Sequence, residues 1–234
     1  MATQLAPSRY DAQREKLAAY FDGTARKAWI DLTSDAKVSG IRATVRAGRD
    51  RMRSTLVGWL PVDLRRKRVL DAGCGTGSLS VDVACLGAEV TGIDIAGGLV
   101  EIAQARAPGF LGHGRIDWHV GDMLDPSLGT FEHVVAMDSL IHYRAEDLVD
   151  TLEQLTTRCS GSILFTFAPH TPLLGAMHGV GKLFPRGNRS PAIVPIAERD
   201  LRRRLTRLAG WKVGRTMRIS SGFYTSQALE LVKR

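Results

Sequence analysis

The chain has 234 residues, 44% hydrophobic and 24% charged, with a formal net charge of +8, so it is long enough for one large α/β domain with additions and argues against two independent domains. Cys74, Cys85 and Cys159 are scattered, with no C-x-x-C and no His pairing at metal spacing, which excludes a disulfide framework or a bound metal and points to reduced thiols in a cytoplasmic setting. No apolar run approaches the roughly 20 residues that cross a bilayer, no signal-peptide pattern opens the chain, and the basic balance favours an acidic partner without choosing among nucleic acid, anionic lipid and anionic small molecule.

In chain order, residues 1–62 read as an N-terminal helical cap. A helix is predicted from Tyr10 to Phe21, with Leu17, Tyr20 and Phe21 on one side, broken by Asp22-Gly23. A second runs from about Lys37 to Leu60 on the apolar stripe Ile41, Val45, Met52, Leu56 and Trp59. Arg42, Arg46, Arg49 and Arg53 form a neighbouring stripe, which suits lipid headgroups or an anionic substrate; the plainer reading is a solvated flank.

Residues 63–234 carry the sheet. Val69-Leu-Asp-Ala-Gly-Cys-Gly-Thr-Gly-Ser-Leu-Ser80 is a short apolar strand, a tight turn with Gly73, Gly75 and Gly77 at alternate positions, and the start of a helix marked by Leu79, Val83 and Leu86. The pattern is D-x-G-x-G-x-G rather than the dinucleotide G-x-G-x-x-G, and Asp71 would repel a pyrophosphate but suit an ammonium group. Glu89 to Ile95 is a second strand whose Asp94 lies where a carboxylate accepts from ribose hydroxyls, with Ile95 beside it. A helix through Leu99, Ile102 and Ala103 follows, then a third strand, Ile116 to Val120, with Asp122 and Met123 after it. Asp122 alone also reads as a turn or helix cap.

Phe131 to Met137 is a fourth strand that delivers Asp138-Ser-Leu-Ile-His-Tyr143 to the same rim, where reacting groups belong in this architecture. An amphipathic helix (Leu148, Leu152, Leu155) leads to the apolar strand Ser162 to Phe167. Residues 170–195 exceed an ordinary connection and read as a lid, in which Leu173, Met177, Val180 and Phe184 make an apolar face and Lys182, Arg186 and Arg189 follow. An edge-covering insertion fits that spacing equally. A helix on Leu201, Leu205 and Leu208 and two closing strands, Trp211 to Met217 and Phe223 to Val232, complete a doubly wound, seven-stranded α/β sheet whose last strands form an antiparallel hairpin.

The Gly-rich motif resembles the first motif of class I S-adenosylmethionine-dependent methyltransferases, which implies S-adenosylmethionine as cofactor, held by Asp71, Gly73, Gly75, Asp94, Ile95, Asp122, Met123 and Asp138, with Asp122 receiving the adenine amine and Met123 flanking the ring. Tyr20-Phe21, the arginine-rich helix, Asp138 to Tyr143, Phe167-Ala-Pro-His-Thr171 and Leu183-Phe-Pro185 together resemble the magnesium protoporphyrin IX methyltransferases of chlorophyll and bacteriochlorophyll synthesis. That resemblance implies methylation of one propionate of magnesium protoporphyrin IX to the monomethyl ester. It assigns His142 to the propionate or the substrate's metal, Tyr20 to closing the cofactor site, and Met177, Phe184 and Arg186 to the porphyrin; magnesium enters only with the substrate. It also implies a magnesium chelatase subunit as partner and a peripheral contact with the photosynthetic membrane, with no nucleic acid. Members from oxygenic phototrophs carry a further tyrosine near the position of Thr33, so no tyrosine role is carried over there. A methyltransferase for a quinone-like or other acid substrate, and an RNA-binding protein that merely holds the cofactor, are the alternative expectations.

Overall fold

The computed structural model describes residues 9–23, 33, 40–170 and 192–234. Those residues fold into a seven-stranded sheet of order β3-β2-β1-β4-β5-β7-β6. Its strands are β1 (Arg68–Ala72), β2 (Glu89–Asp94), β3 (Arg115–Val120), β4 (Phe131–Ala136), β5 (Cys159–Phe167), β6 (Trp211–Ser221) and β7 (Tyr224–Lys233). The first five pair in parallel, while β7 runs antiparallel to both β5 and β6. The order reverses between β1 and β4, the point at which a doubly wound sheet opens a crevice beyond its strand ends.

Strand alternation sorts the core into two layers. Leu70, Val134, Ile163 and Phe165 face one side, while Val69, Val135 and Leu164 face the other. The first side is covered by α5 (Ala145–Thr156) and α6 (Glu198–Leu205) through Leu148, Leu152, Leu155, Leu201 and Leu205. The second is covered by α2 (Gly40–Val57) and α3 (Ser78–Cys85) through Met52, Leu56, Leu79 and Val83. Between these, α4 (Gly97–Arg106) packs on β2 and β3, and α1 (Arg9–Asp22) lies over the strand ends against it.

Within the N-terminal cap, helix α2 packs directly on the sheet, with Met52 and Leu56 wholly buried. Its fit on the sheet depends on Gly48, where an added Cβ would lie 2.5 Å from Cδ1 of Tyr224 on β7. Two strands depart by more than a single residue from the boundaries read in the sequence. Strand β5 begins at Cys159 rather than Ser162 because Cys-Ser-Gly161, a loop-like triplet, pairs with β4 across a register shift between Phe131 and His133. Strand β6 runs on to Ser221 because β7 supplies a partner for each residue from Thr216.

Candidate active site

The sharp turn after β1 is made by backbone that only glycine adopts easily. Gly73 has φ +86°, and a Cβ there would lie 2.3 Å from that of Ser139, whose hydroxyl donates to the Ala72 carbonyl at 2.7 Å. The turn and the segment after β4 are thus pressed together at the reversal of strand order. Above them opens a cavity of about 330 Å³, within the usual range for small-molecule sites. It is bounded by Asp71, Gly73, Gly75, Asp94, Ile95, Met123, Asp138 and His142 among the residues expected from the sequence.

The three acids hold different environments. Asp71 is buried at the floor and accepts from Ser80 Oγ at 2.6 Å; burial, only partly offset by that bond, pushes its pKa up to about 7. Asp94 accepts from Gly75 N and Ala96 N, both at 2.9 Å, one on each oxygen. Each oxygen keeps a further lone pair, so the carboxylate that locks the turn can also receive two hydroxyls. Burial holds its pKa above the usual carboxylate range against those bonds.

Asp138 has φ +55°, a left-handed conformation that aspartate tolerates better than most residues. It is fixed there because its N–H donates to Thr166 Oγ1 at 2.7 Å and its carboxylate receives Arg49 at 2.6 Å, Tyr224 at 3.1 Å and Ser226 at 3.2 Å. These partners come from α2, β5 and β7. The network joins three elements under one side of the cavity.

The arginine stripe of α2 contributes directly: Arg46, Arg49 and Arg53 bound the cavity with Asp50, and Arg53 is paired with Asp50 and Asp82 at 2.8 and 2.7 Å. This face is the wall of a site rather than a solvated flank. Periodicity could not distinguish the two, because both leave the side chains outside the apolar core.

Helix α1 closes the top. Tyr10, Leu17 and Phe21 face the cavity, whereas Tyr20 lies on an adjacent face and bounds a second cavity of about 630 Å³. The helical angle accounts for this: Tyr10, Leu17 and Phe21 follow one another at seven and four residues and share a stripe, and Tyr20 is one step of about 100° from Phe21. The second cavity is lined by Arg9, Ala12, Gln13, Lys16 and Tyr20 of α1, by Arg144 and Asp147, and by Ala192 and Val194. His142 and Tyr143 bound both cavities.

His142 is buried in that shared wall, in a short 3-10 turn, Leu140–His142. Its Nδ1 lies 3.4 Å from the Ala192 carbonyl, an acceptor only, which favours hydrogen on Nδ1 and the lone pair on Nε2. Gln13 Nε2 donates to the His142 carbonyl at 3.2 Å.

Asp122 takes the turn role that its place after β3 also allows. Its carboxylate receives Tyr10 OH at 2.7 Å and Leu124 N at 2.9 Å on one oxygen and Arg14 on the other, so it fastens α1, while Gly121 and Met123 bound the cavity. Tyr10 and Tyr143 stack at 5.5 Å, and burial holds both phenols well above their usual pKa. The sequence places Tyr143 in the segment at the rim of the sheet but carries no local signal that Tyr10 stacks on it. Thr33 bounds the first cavity and receives Arg106 at its hydroxyl, 3.2 Å away. Met177, Phe184 and Arg186 lie outside the described residues.

Residues 136–233 match the family model described as the C-terminus of magnesium-protoporphyrin IX methyltransferase, and residues 69–160 match a general methyltransferase domain. The magnesium-protoporphyrin O-methyltransferase of Rhodobacter capsulatus is 48% identical over 225 residues, 96% of this chain and 98% of the relative. Two crystal structures of magnesium protoporphyrin IX methyltransferase from Synechocystis PCC 6803 superpose on it. The one with bound SAH has a TM-score of 0.82 at 30% identity, covering 94% of this chain and 99% of that one. The one with bound SAM has 0.78 at 26% identity, covering 99% and 100%. With a near-full-length relative at that identity, and the sheet, glycine turn and acids in place, the chain belongs to the magnesium-protoporphyrin O-methyltransferase family.

Proposed function

We infer that this protein transfers a methyl group from S-adenosylmethionine to one propionate of magnesium protoporphyrin IX, giving the monomethyl ester in (bacterio)chlorophyll biosynthesis. The observation that carries the chemistry is the wall of His142 and Tyr143 between two cavities, one built for the cofactor and one open to an acceptor. The first cavity fits the cofactor by its donor set. On this reading Asp71 would take the ammonium group, Asp94 the ribose hydroxyls, Ile95 and Met123 the adenine, and the cationic wall of Arg46 and Arg53 the carboxylate, all of them residues that line the cavity. When bound, the cofactor supplies an electrophilic methyl on sulfonium: a carboxylate oxygen forms the new bond to carbon as the sulfur–methyl bond breaks, leaving ester and thioether.

A propionate is already ionised at neutral pH, so the chain need not abstract a proton. Its task is to align and desolvate. Burial in the wall strips water from the attacking oxygen, and His142 orients the propionate or contacts the substrate's magnesium. Tyr20, on the acceptor side, packs edge-on against Phe21 with ring centroids 5.3 Å apart, and thereby links the two cavities.

Among the described residues no helix is long and apolar enough to cross a membrane. A cytoplasmic enzyme that receives its apolar substrate from a magnesium chelatase subunit, near the photosynthetic membrane, is the setting this reading supports.

The test is product formation from S-adenosylmethionine and magnesium protoporphyrin IX, with metal-free protoporphyrin IX and His142→Ala alongside. Monomethyl ester from the magnesium substrate, largely lost in the variant, is the expected result. No ester despite calorimetric binding of S-adenosylmethionine would overturn the substrate assignment.

A further inference from the structure

Helix α1 presents two faces to two chambers. Tyr10, Leu17 and Phe21 look into the cofactor cavity, while Arg9, Ala12, Gln13, Lys16 and Tyr20, also at helical spacing, line the second. On that second face the charges are uneven. Among the described residues, Arg9, Lys16 and Arg144 meet a single lining carboxylate, Asp147. Arg9 lies 3.8 Å from Glu146, but among the described residues the side chains of Lys16 and Arg144 make no hydrogen bond or ion pair. Several arginines elsewhere are paired with acids, as Arg204 is with Asp200 and Arg215 with Glu230, while among the described residues others on the open surface, such as Arg51 and Arg199, are not; Lys16 and Arg144 differ from these in bordering a cavity. Of the rest of the lining, Ala12, Tyr20, Tyr143, Ala192 and Val194 offer aliphatic and aromatic surface that suits a flat apolar ring, and Gln13 and His142 add two polar side chains.

We propose that Lys16 and Arg144, with Arg9 beside them, form a carboxylate-binding collar that holds the acceptor's second, unreacted propionate and so stops the reaction at the monoester. The inference rests on reading the second cavity as the acceptor site. An acceptor with two propionates on one edge of its ring presents one to the His142 wall and leaves the other near the cavity's charged residues. Once the first is esterified, turning the remaining carboxylate toward the wall places a neutral ester against the collar. The ester makes no ion pair with Lys16 or Arg144, so the monoester in that orientation is a poorer substrate than the diacid. The collar thereby reads the charge of a group on which no chemistry occurs.

The experiment compares kcat and KM for magnesium protoporphyrin IX and for its monomethyl ester in wild type, in Lys16→Met/Arg144→Met, and in Lys16→Arg. In the double variant, KM for the diacid rises roughly 10-fold with kcat within about twofold, and the diacid-to-monoester ratio of kcat/KM falls toward about 1, with diester accumulating. Lys16→Arg keeps the ratio close to wild type because it keeps the charge. Calorimetric binding of S-adenosylmethionine, unchanged in every variant, establishes that the fold is intact. An unaltered ratio in the double variant overturns the collar. Ala12→Trp, which fills the second cavity, separates that failure from a failure of the underlying reading. Lost turnover with intact cofactor binding keeps the cavity as the acceptor site and refutes only the collar, whereas wild-type turnover refutes both.

Discussion

Gly48→Ala sets two known effects against each other. In a helix interior the substitution ordinarily stabilises by about 1 kcal/mol. At this position, however, the new Cβ would stand 2.5 Å from Cδ1, 2.9 Å from Cγ and 3.0 Å from Cβ of Tyr224. The ring cannot simply swing away, because its hydroxyl is bonded to both oxygens of Asp138 at 3.1 and 3.2 Å. Overpacking costs about 1–3 kcal/mol, and loosening a hydrogen bond to a charged group costs about 1.5–3 kcal/mol more. The net expectation is a loss of about 2–4 kcal/mol, or a fall in Tm of about 5–12 °C for a chain of this size. S-adenosylmethionine affinity falls with it, since Arg49 is the next residue and shares Asp138. Scanning calorimetry on Gly48→Ala, Tyr224→Ala and the double variant isolates the clash: on the Tyr224→Ala background, Gly48→Ala raises Tm instead of lowering it. A Gly48→Ala protein as stable as wild type, with Tyr224 present, would refute the packing argument.

Three further outcomes are expected. Because Asp71 is raised to about 7 when folded and titrates near 4 unfolded, its contribution to stability is greatest below the unfolded value and is lost as pH rises toward 7; a cationic ligand favours the ionised form, so S-adenosylmethionine affinity climbs from pH 6 to 8 with proton release, and Asp71→Asn flattens that climb in calorimetric titrations. Asp94→Ala removes the acceptor for Gly75 N and Ala96 N along with the ribose contacts, and KM for S-adenosylmethionine rises by about 100-fold or more, measured by initial rates. Tyr10→Phe deletes a bond to the Asp122 carboxylate and weakens the seating of α1 by about 1–2 kcal/mol, read as faster amide exchange across Arg9–Asp22 with the exchange of β1 and β4 unchanged.

The sheet and its acids were legible because they rest on local patterns: short apolar runs, glycines at a turn, a carboxylate at each of several strand ends. What the patterns omit is the other side of each contact. Spacing put the arginines of α2 in a stripe, yet only the tertiary fold turns Arg46, Arg49 and Arg53 toward a cavity and gives Arg49 an acid 89 residues away. Asp122 stands after β3 as expected, but α1 returns over it, and no local signal reports that Tyr10 and Arg14 arrive there. Phe21 and Tyr20 are neighbours in sequence with opposite assignments, because a helix turns about 100° per residue and one step moves a side chain from one chamber to the other.

Strand β7, made after the other six, is an interior strand of the sheet, with β5 on one side and β6 on the other. As the ribosome releases the chain, β5 therefore waits with an open edge, and β6 has nothing to pair with until β7 emerges. Tyr224 and Ser226 arrive with that strand, so Asp138 meets its final hydrogen-bond donors only then. The hydrogen-bond network of Asp138, beneath the first cavity, is therefore completed only when the whole sheet has closed.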